Sequence, residues 1–415
     1  MFFARFLKNR LRAGRLVIRD AHGAAHVLEG PEPGPDVAIH LTDPKLHHRL
    51  FLSPHLAVGE AYMDGTLVIE KGDLRSFMEF LGLNLAAIDS QPLMRLRQRI
   101  STALRWVDQY NPVGRAQRNV AHHYDLSGKL YDLFLDEDRQ YSCAYYTPGT
   151  HSLEQAQANK KALIAAKLLL KPGQHVLDIG CGWGGMALSL AKEHDVQVTG
   201  VTLSKEQLAV AQERAWKAGL ADRVTFRLQD YRELTETFDR VVSVGMLEHV
   251  GAGHLEEYFA KVRDLLHEDG IALIHSIGRM EPPGSTNPWL RKYIFPGGYT
   301  PALSETMAAV EKAGNLYVTD VEILRLHYAR TLAAWHKRFV DRSEEAEALY
   351  DIRFRRMWEF YLLGCEIAFH HWNQMVFHLQ IARRQEAVPL TRDYLLDSLP
   401  RDPASSHGPD CLAAE

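Results

Sequence analysis

The sequence predicts a doubly wound α/β fold, a parallel sheet with helices on both faces, with a small α/β unit before it and added helices after it. Three observations carry this. From about residue 173, short β-branched apolar runs alternate with helical patterns. The runs are continuous rather than alternating in polarity, as expected for strands covered on both faces. The first of them ends in a glycine-rich turn, VLDIGCGWGG over 176–185, directly ahead of a helical pattern.

The elements follow in order. HVLDIG reads as a strand, Gly184–Glu193 as a helix, VQVTGV as a strand, Lys205–Ala218 as a helix and RVTFRL as a strand. DRVVSVG, a helix near His254–Leu266 and IALIHSIG continue the series. Right-handed crossovers between such strands build the doubly wound layers. Beyond about 300, Thr331–Phe339 and Glu344–Leu379 read as long helices. Upstream, RLVIRD, DVAIHLTD and GTLVIEKGDL are short apolar runs between turns marked by Gly23, Gly30, Pro31 and Gly34. Between the two regions, Leu93–Val107 puts Leu93, Leu96, Ile100, Ala103, Leu104 and Val107 on one stripe, with Arg95, Arg97, Arg99 and Arg105 mostly off it. This segment is either a connecting helix or a membrane-surface helix whose arginines meet lipid phosphates. The expected organisation is an accessory unit over 1–90, a helical linker over 91–120, a catalytic unit over 121–385 and a partly disordered tail over 386–415.

Composition narrows the class. The 415 residues are 46% hydrophobic and 24% charged with a formal net charge of −4, so no overall basic field draws nucleic acid. Cys143, Cys181, Cys365 and Cys411 show no C-x-x-C pairing or disulfide framework, which fits a reduced cytosolic chain. No apolar run is long enough to span a bilayer, and MFFARFLKNRLRAGRL reads as an amphipathic helix rather than a secretory signal. The histidines, including His122–His123 and His370–His371, show no metal-ligand spacing, so no metal is expected.

Gly180, Gly182 and Gly185 match the G-x-G-x-x-G dinucleotide fingerprint. One carboxylate argues against a nicotinamide. A pyrophosphate needs the turn and the helix N-terminus with no anion close by, yet Asp178 lies two residues before Gly180. At the end of the second strand, GVTLSKEQ offers Thr202, Leu203, Ser204 and Gln207 instead of the ribose-binding acid of nicotinamide sites. S-adenosylmethionine, with an ammonium, a sulfonium and no phosphate, suits this site. The alternative is a purely structural turn in which Gly180, Gly182, Gly184 and Gly185 are merely permissive.

Nine stretches in order now carry a resemblance: HHYDLSGKLYDLFLD, QYSCAYY, VLDIGCGWGG, GVTLSKEQ, LQDYREL, VGMLEHVG, LIHSIG, NPWLRKYIFPGG and HYARTLAAWHKRF. Together, over about 115–382, the chain resembles the cyclopropane-fatty-acyl-phospholipid synthases and their mycolic-acid-modifying relatives. The first 90 residues are similar only loosely to the accessory domain of the bacterial synthases. The resemblance implies a class I S-adenosylmethionine-dependent methyltransferase fold. It further implies methylene transfer to the cis double bond of a phospholipid acyl chain, closing a cyclopropane ring. It implies bicarbonate as the base, held by Cys143, Glu248, His275, Ile277 through its backbone, and Tyr328. Tyr141 and Ser142 would touch the methionyl part of the donor, and Asp230, beside Tyr231, would accept from the adenine amino group. A cytoplasmic enzyme peripheral to the inner membrane face, possible as a homodimer, is the expected setting.

The chemistry can be followed on its own. An alkene is a weak nucleophile, so the site must supply proximity and exclude water. Its π pair attacks the sulfonium methyl and leaves a carbocation, from which one proton must go before the ring closes. Cys143 cannot attack an alkene, which has no electrophilic carbon, so it would only line the anion site. Cys365, at a position once proposed as a thiol of this family's active site, reads more simply as a buried apolar-face cysteine. Glu248 either serves the site or caps the following helix. His275 is a ligand or a satisfied core histidine, and Tyr328 an anion donor or a buried aromatic. NPWLRKYIFPGG is either core plus surface or the mouth of an acyl channel. Competing functions are alkene methylation without ring closure, giving a methyl-branched or methylene product, a small-molecule methyltransferase, and an idle lipid-binding protein.

Overall fold

The computed structural model describes residues 10–89 and 128–395, together with residues 4, 7 and 8. The arginine-rich stripe at 93–107 and the tail beyond 395 lie outside the described residues.

The first unit is a four-stranded sheet in the order β2-β1-β3-β4, built from β1 (Ala13–Arg19), β2 (Ala25–Glu29), β3 (Glu32–Leu41) and β4 (Leu67–Lys71). β1 runs parallel to β3 and antiparallel to β2, and β4 is antiparallel to β3. Helices α1 (Leu46–Leu52), α2 (Pro54–Met63) and α3 (Leu74–Asp89) complete it. Three of the four expected turn residues fall between strands, but Gly34 lies within β3, where a Cβ would stand 2.9 Å from the backbone nitrogen of Gly14. That glycine marks a close backbone approach, the other common reason for glycine in a strand.

The second unit opens with a single turn, α4 (Gly128–Tyr131), and with α5 (Leu153–Leu168), capped by the Ser152 hydroxyl accepting from Gln155 N–H. Its sheet alternates strand and helix as expected: β5 (His175–Ile179), α6 (Gly185–His194), β6 (Gln197–Thr202), α7 (Lys205–Lys217), β7 (Val224–Leu228), β8 (Phe238–Val244), α8 (Leu255–Leu265) and β9 (Leu266–Arg279). These are followed by α9 (Pro288–Tyr293), α10 (Leu303–Ala313), β10 (Tyr317–Ile323), α11 (His327–Asp341), α12 (Ser343–Leu349), α13 (Ile352–His371) and β11 (Gln374–Ala382). The strand order is β10-β11-β9-β8-β5-β6-β7. β5 through β9 pair in parallel, while β11 inserts antiparallel between β9 and β10. The sheet is therefore mixed at one side rather than wholly parallel.

Two expectations fail at that side. Glu344–Leu379 is not one helix: it breaks at Tyr350–Asp351, where the Asp351 carboxylate caps α13 by accepting from Phe354 N–H, and residues from Gln374 form β11. β10 was not expected at all. The run MVFHLQIA is buried along its whole length, so its polarity pattern cannot separate a buried strand from a buried helix.

α13 joins the two units. Its Leu363 and Ile367 belong to the core of the small sheet, while Trp358, Tyr361 and Leu362 belong to an aromatic core of the larger unit. Arg75 of α3 pairs with Glu366 at 2.6 Å, and Arg353 with Asp64 at 2.8 Å. Among the described residues no helix is long and apolar enough to cross a membrane.

Candidate functional site

The carboxyl ends of β5, β6, β8 and β9 converge where open α/β sheets bind ligands. After β5 the chain turns sharply. Gly180 and Cys181 both send their N–H groups to the Val201 carbonyl at 3.0 Å, tying the turn to β6. Gly182 has φ +53° and nothing within 4 Å of where a Cβ would stand, so the backbone there is left-handed and faces open space. Gly184 is the N-cap of α6 at φ +83° and packs against Phe226, a packing role beside its conformational one.

Asp178 is 2% exposed, and its Oδ2 has no hydrogen-bond partner. Burial pushes its carboxyl up to about 7, opposed by the Lys160 ammonium. The permanent negative charge expected from sequence is thus conditional: without a cation this acid is partly protonated at neutral pH. A cationic ligand supplies what the oxygen lacks, whereas a pyrophosphate does not. The open side of Gly182 and the orphaned oxygen together fit S-adenosylmethionine.

On the second strand, the Thr202 hydroxyl donates to Gln207 Oε1 at 3.0 Å and accepts from Ser204 N–H at 3.2 Å. Ser204 in turn caps α7 by accepting from Gln207 N–H, leaving Leu203 half-buried at the corner. Asp230 is held within its own turn. Both its oxygens are taken by Arg232, at 2.9 and 2.7 Å, and Oδ1 also accepts the Arg232 backbone N–H. A neighbouring guanidinium satisfies this acid without any adenine. Tyr231 packs its ring edge-on against Tyr258 in the core beneath β8 and β9.

Glu248 follows β8 on a short turn, Leu247–His249. Its Oε1 accepts the Ile277 N–H of β9 at 2.6 Å, its backbone carbonyl accepts from Tyr299 N–H at 2.8 Å, and its Oε2 is buried without a partner. The carboxylate therefore does not cap the following helix. Burial raises it to about 7, against the lowering effect of the Ile277 N–H. His275 lies two residues before Ile277 on the same face of β9. It is 2% exposed, and burial together with the Lys160 and Lys167 charges holds its imidazole well below the usual range. Ile277 packs against the aromatic core that contains Cys143, Tyr328 and Tyr361. Cys143 donates its thiol proton to the Ala144 carbonyl, and burial keeps that thiol far above its ordinary pKa. Burial likewise pushes Cys365 up to about 12, so neither sulfur is a thiolate at neutral pH.

Sequence reasoning missed three residues that tie these parts together. Tyr361 shares a 2.7 Å hydroxyl–hydroxyl hydrogen bond with Tyr141, and its neighbours Tyr328 and Cys365 add to the burial that raises its phenol. Lys160, fully buried, donates to Gln140 Oε1 at 2.6 Å and to Ser142 Oγ at 2.8 Å. Its charge acts on Asp178, Cys143 and His275 alike. His378 of β11 lies 2.8 Å from His275. The signal for Lys160 was present: Lys160 and Lys167 stand seven apart on the stripe holding Leu163 and Ile164. The loop NPWLRKYIFPGG lies along the seam between the two units. Trp289 and Ile294 are buried in the aromatic core, and Phe295 lies edge-on to Tyr361 with centroids 5.7 Å apart. Lys292 and Tyr293 reach Glu60 of the small unit at 2.6 and 2.9 Å.

The profile of the family described as mycolic acid cyclopropane synthetase matches residues 113–379. A cyclopropane-fatty-acyl-phospholipid synthase of Escherichia coli strain K12 is 38% identical over 348 residues, covering 84% of this chain and 88% of that protein. A Pseudomonas putida protein described as a probable fatty acid methyltransferase is 36% identical over 379 residues, covering 87% and 92%. Among solved structures, mycolic acid cyclopropane synthase CmaA1, complexed with SAH and CTAB, aligns with a TM-score of 0.61 at 31% identity, over 66% of this chain and 99% of that one. With its class I methyltransferase fold, the chain belongs to the mycolic acid cyclopropane synthetase family and is an S-adenosylmethionine-dependent methyltransferase.

Proposed function

We propose that the chain transfers a methylene unit from S-adenosylmethionine to the cis double bond of unsaturated acyl chains in membrane phospholipids, closing a cyclopropane ring with bicarbonate as base. The supporting observation is Glu248: one oxygen fixed by the Ile277 N–H at 2.6 Å, the other buried with nothing to bond. A buried carboxyl oxygen without a partner calls for a hydroxyl donor, and hydrogen carbonate carries one. When bound, the sulfonium supplies the methyl carbon and bicarbonate accepts the proton that must leave before the ring closes.

The chain's residues do the rest. Tyr141, Ser142, Asp178, Gly180, Gly182, Gly184, Thr202, Leu203 and Gln207 cradle the donor. Glu248, His275, Tyr328 and Cys143 hold the base, and the Ile277 backbone N–H, expected on the base, is given to Glu248 and positions that carboxylate. The aromatic core around Tyr328, Trp335 and Tyr361 excludes water that would trap a carbocation as an alcohol. The enzyme works from the cytoplasmic face of the membrane, drawn there by the arginines of the 93–107 stripe.

The test is mass spectrometry and NMR of fatty acids after incubating the purified chain with S-adenosylmethionine and vesicles of unsaturated phospholipid. The proposal expects a gain of one methylene unit and cyclopropane proton signals. A methyl-branched or methylene product would refute ring closure. No lipid product at all would refute the substrate.

A further inference from the structure

A hydrogen-bonded row of buried groups runs back from His275, away from Glu248. His275 on β9 and His378 on β11 are directly paired across the antiparallel ladder, with His275 Nδ1 2.8 Å from His378 Nε2. His378 Nδ1 lies 3.3 Å from Lys167 Nζ. Lys167, at the last turn of α5, is itself buried and forms an ion pair with Glu322 of β10, which also accepts from the Tyr145 hydroxyl at 3.3 Å.

The order of donors along this row is fixed by chemistry. An ammonium has three donors and no acceptor, and a neutral imidazole has one of each. Both imidazoles are neutral: burial and the charges of Lys160 and Lys167 hold them well below the usual range, and His327 adds to this at His378. Lys167 is in an ion pair with Glu322, and an ammonium offers His378 donors and no lone pair. His378 Nδ1 must then accept, so its proton sits on Nε2 and is donated to His275 Nδ1. That leaves His275 protonated on Nε2. The opposite tautomer would aim the His378 Nδ1–H at an ammonium in a buried site, two donors facing each other.

We propose that Lys167 and His378 are positioning residues that lock His275 as the Nε2–H tautomer, so that it offers an anion a donor instead of a lone pair. This rests on the reading of His275 as part of the anion site. No residue of the row besides His275 need touch a reactant. The arrangement resembles the outer-shell partners that fix the tautomer of ligating histidines elsewhere.

Long-range proton–nitrogen NMR on the full chain labelled with nitrogen-15 in histidine reads the tautomer directly, with His275→Gln assigning the signal. The expected spectrum shows Nε2 protonated and Nδ1 bare in the wild type. Lys167→Met should release the tautomer into a mixture and lower kcat by about tenfold to a hundredfold, the range for losing an outer-shell partner, with the KM for S-adenosylmethionine kept. His378→Gln, whose amide can accept from Lys167 and donate to His275, should retain most of the activity that His378→Leu loses. A wild-type His275 protonated on Nδ1, or a Lys167→Met chain with the wild-type tautomer and kcat, overturns the proposal. The wild-type spectrum decides even if a variant does not fold. It decides equally if the product proves acyclic, so failure of the ring-closure reading shows separately.

Discussion

The Lys160 ammonium donates to the Ser142 hydroxyl at 2.8 Å, and both groups are buried beneath the glycine turn. Burial lowers this lysine to about 8, with Asp136 opposing the shift. Replacing it by methionine leaves Gln140 Oε1 and Ser142 without their donor. Lys160→Met should cost about 1–3 kcal/mol, the usual penalty for stranding buried polar partners, measured by urea unfolding. It should also weaken S-adenosylmethionine binding in calorimetry, because the segment holding Tyr141 and Ser142 loses its anchor.

Asp178 links binding of the methyl donor to pH. Its carboxyl is held at about 7 in the resting protein, and a bound cation favours the ionised form. Below that pH a proton must leave on binding, so affinity should fall by up to about tenfold per pH unit; above it, affinity should level off. Calorimetry between mildly acidic and mildly alkaline pH checks this. The neutral thioether product should show a shallower dependence, and Asp178→Asn should flatten both. For the ligand-free fold the sign is opposite. Its folded value lies above the unfolded one, so the native state binds more protons in that interval and this group's contribution declines as pH rises towards 7.

Glu248→Gln keeps the shape of the side chain, and its amide oxygen can still accept from Ile277 N–H. What it loses is the charge and the second acceptor. Turnover should drop by roughly 10² to 10⁴, as for loss of acid–base function, while affinity for S-adenosylmethionine stays near the wild-type value. Single-turnover assays paired with calorimetry separate the two effects, and unchanged turnover would discard the anion-site reading.

Cys365 lies in α13 beside Tyr361, with its thiol pushed up to about 12 by burial. A protonated thiol is a poor nucleophile, and the reaction offers it no electrophile. Cys365→Ala should keep turnover within the same order of magnitude. A complete loss of product, with the melting curve unchanged, would give that sulfur a task after all.

Much of this was readable from the chain. β5 to β9 are apolar runs set among helical patterns, and Ser204 announces α7 just where it caps it. The glycine turn and Asp178 were legible in one local motif, whereas Cys143, Glu248 and His275, which lie in three separate stretches, were named through the family resemblance. β10 was lost because it is an edge strand with a single buried residue, Asp320, and β11 because a strand buried on both faces carries no alternation. That loss concealed His378, whose role exists only through its register opposite His275. The turn that gives Asp230 to Arg232 was hidden too: the arginine stands two residues on, but its geometry is not written in the sequence.

Gly59 of α2 has no room for a Cβ, because the indole of Trp289 occupies that place. From Trp289 the chain runs through α9 to Phe295, whose ring rests against Tyr361. A single methyl group added in the small sheet's helix would therefore push, through Trp289, on the segment that holds Phe295 against Tyr361. Defects at position 59 would look enzymatic in an assay while their origin is steric and remote.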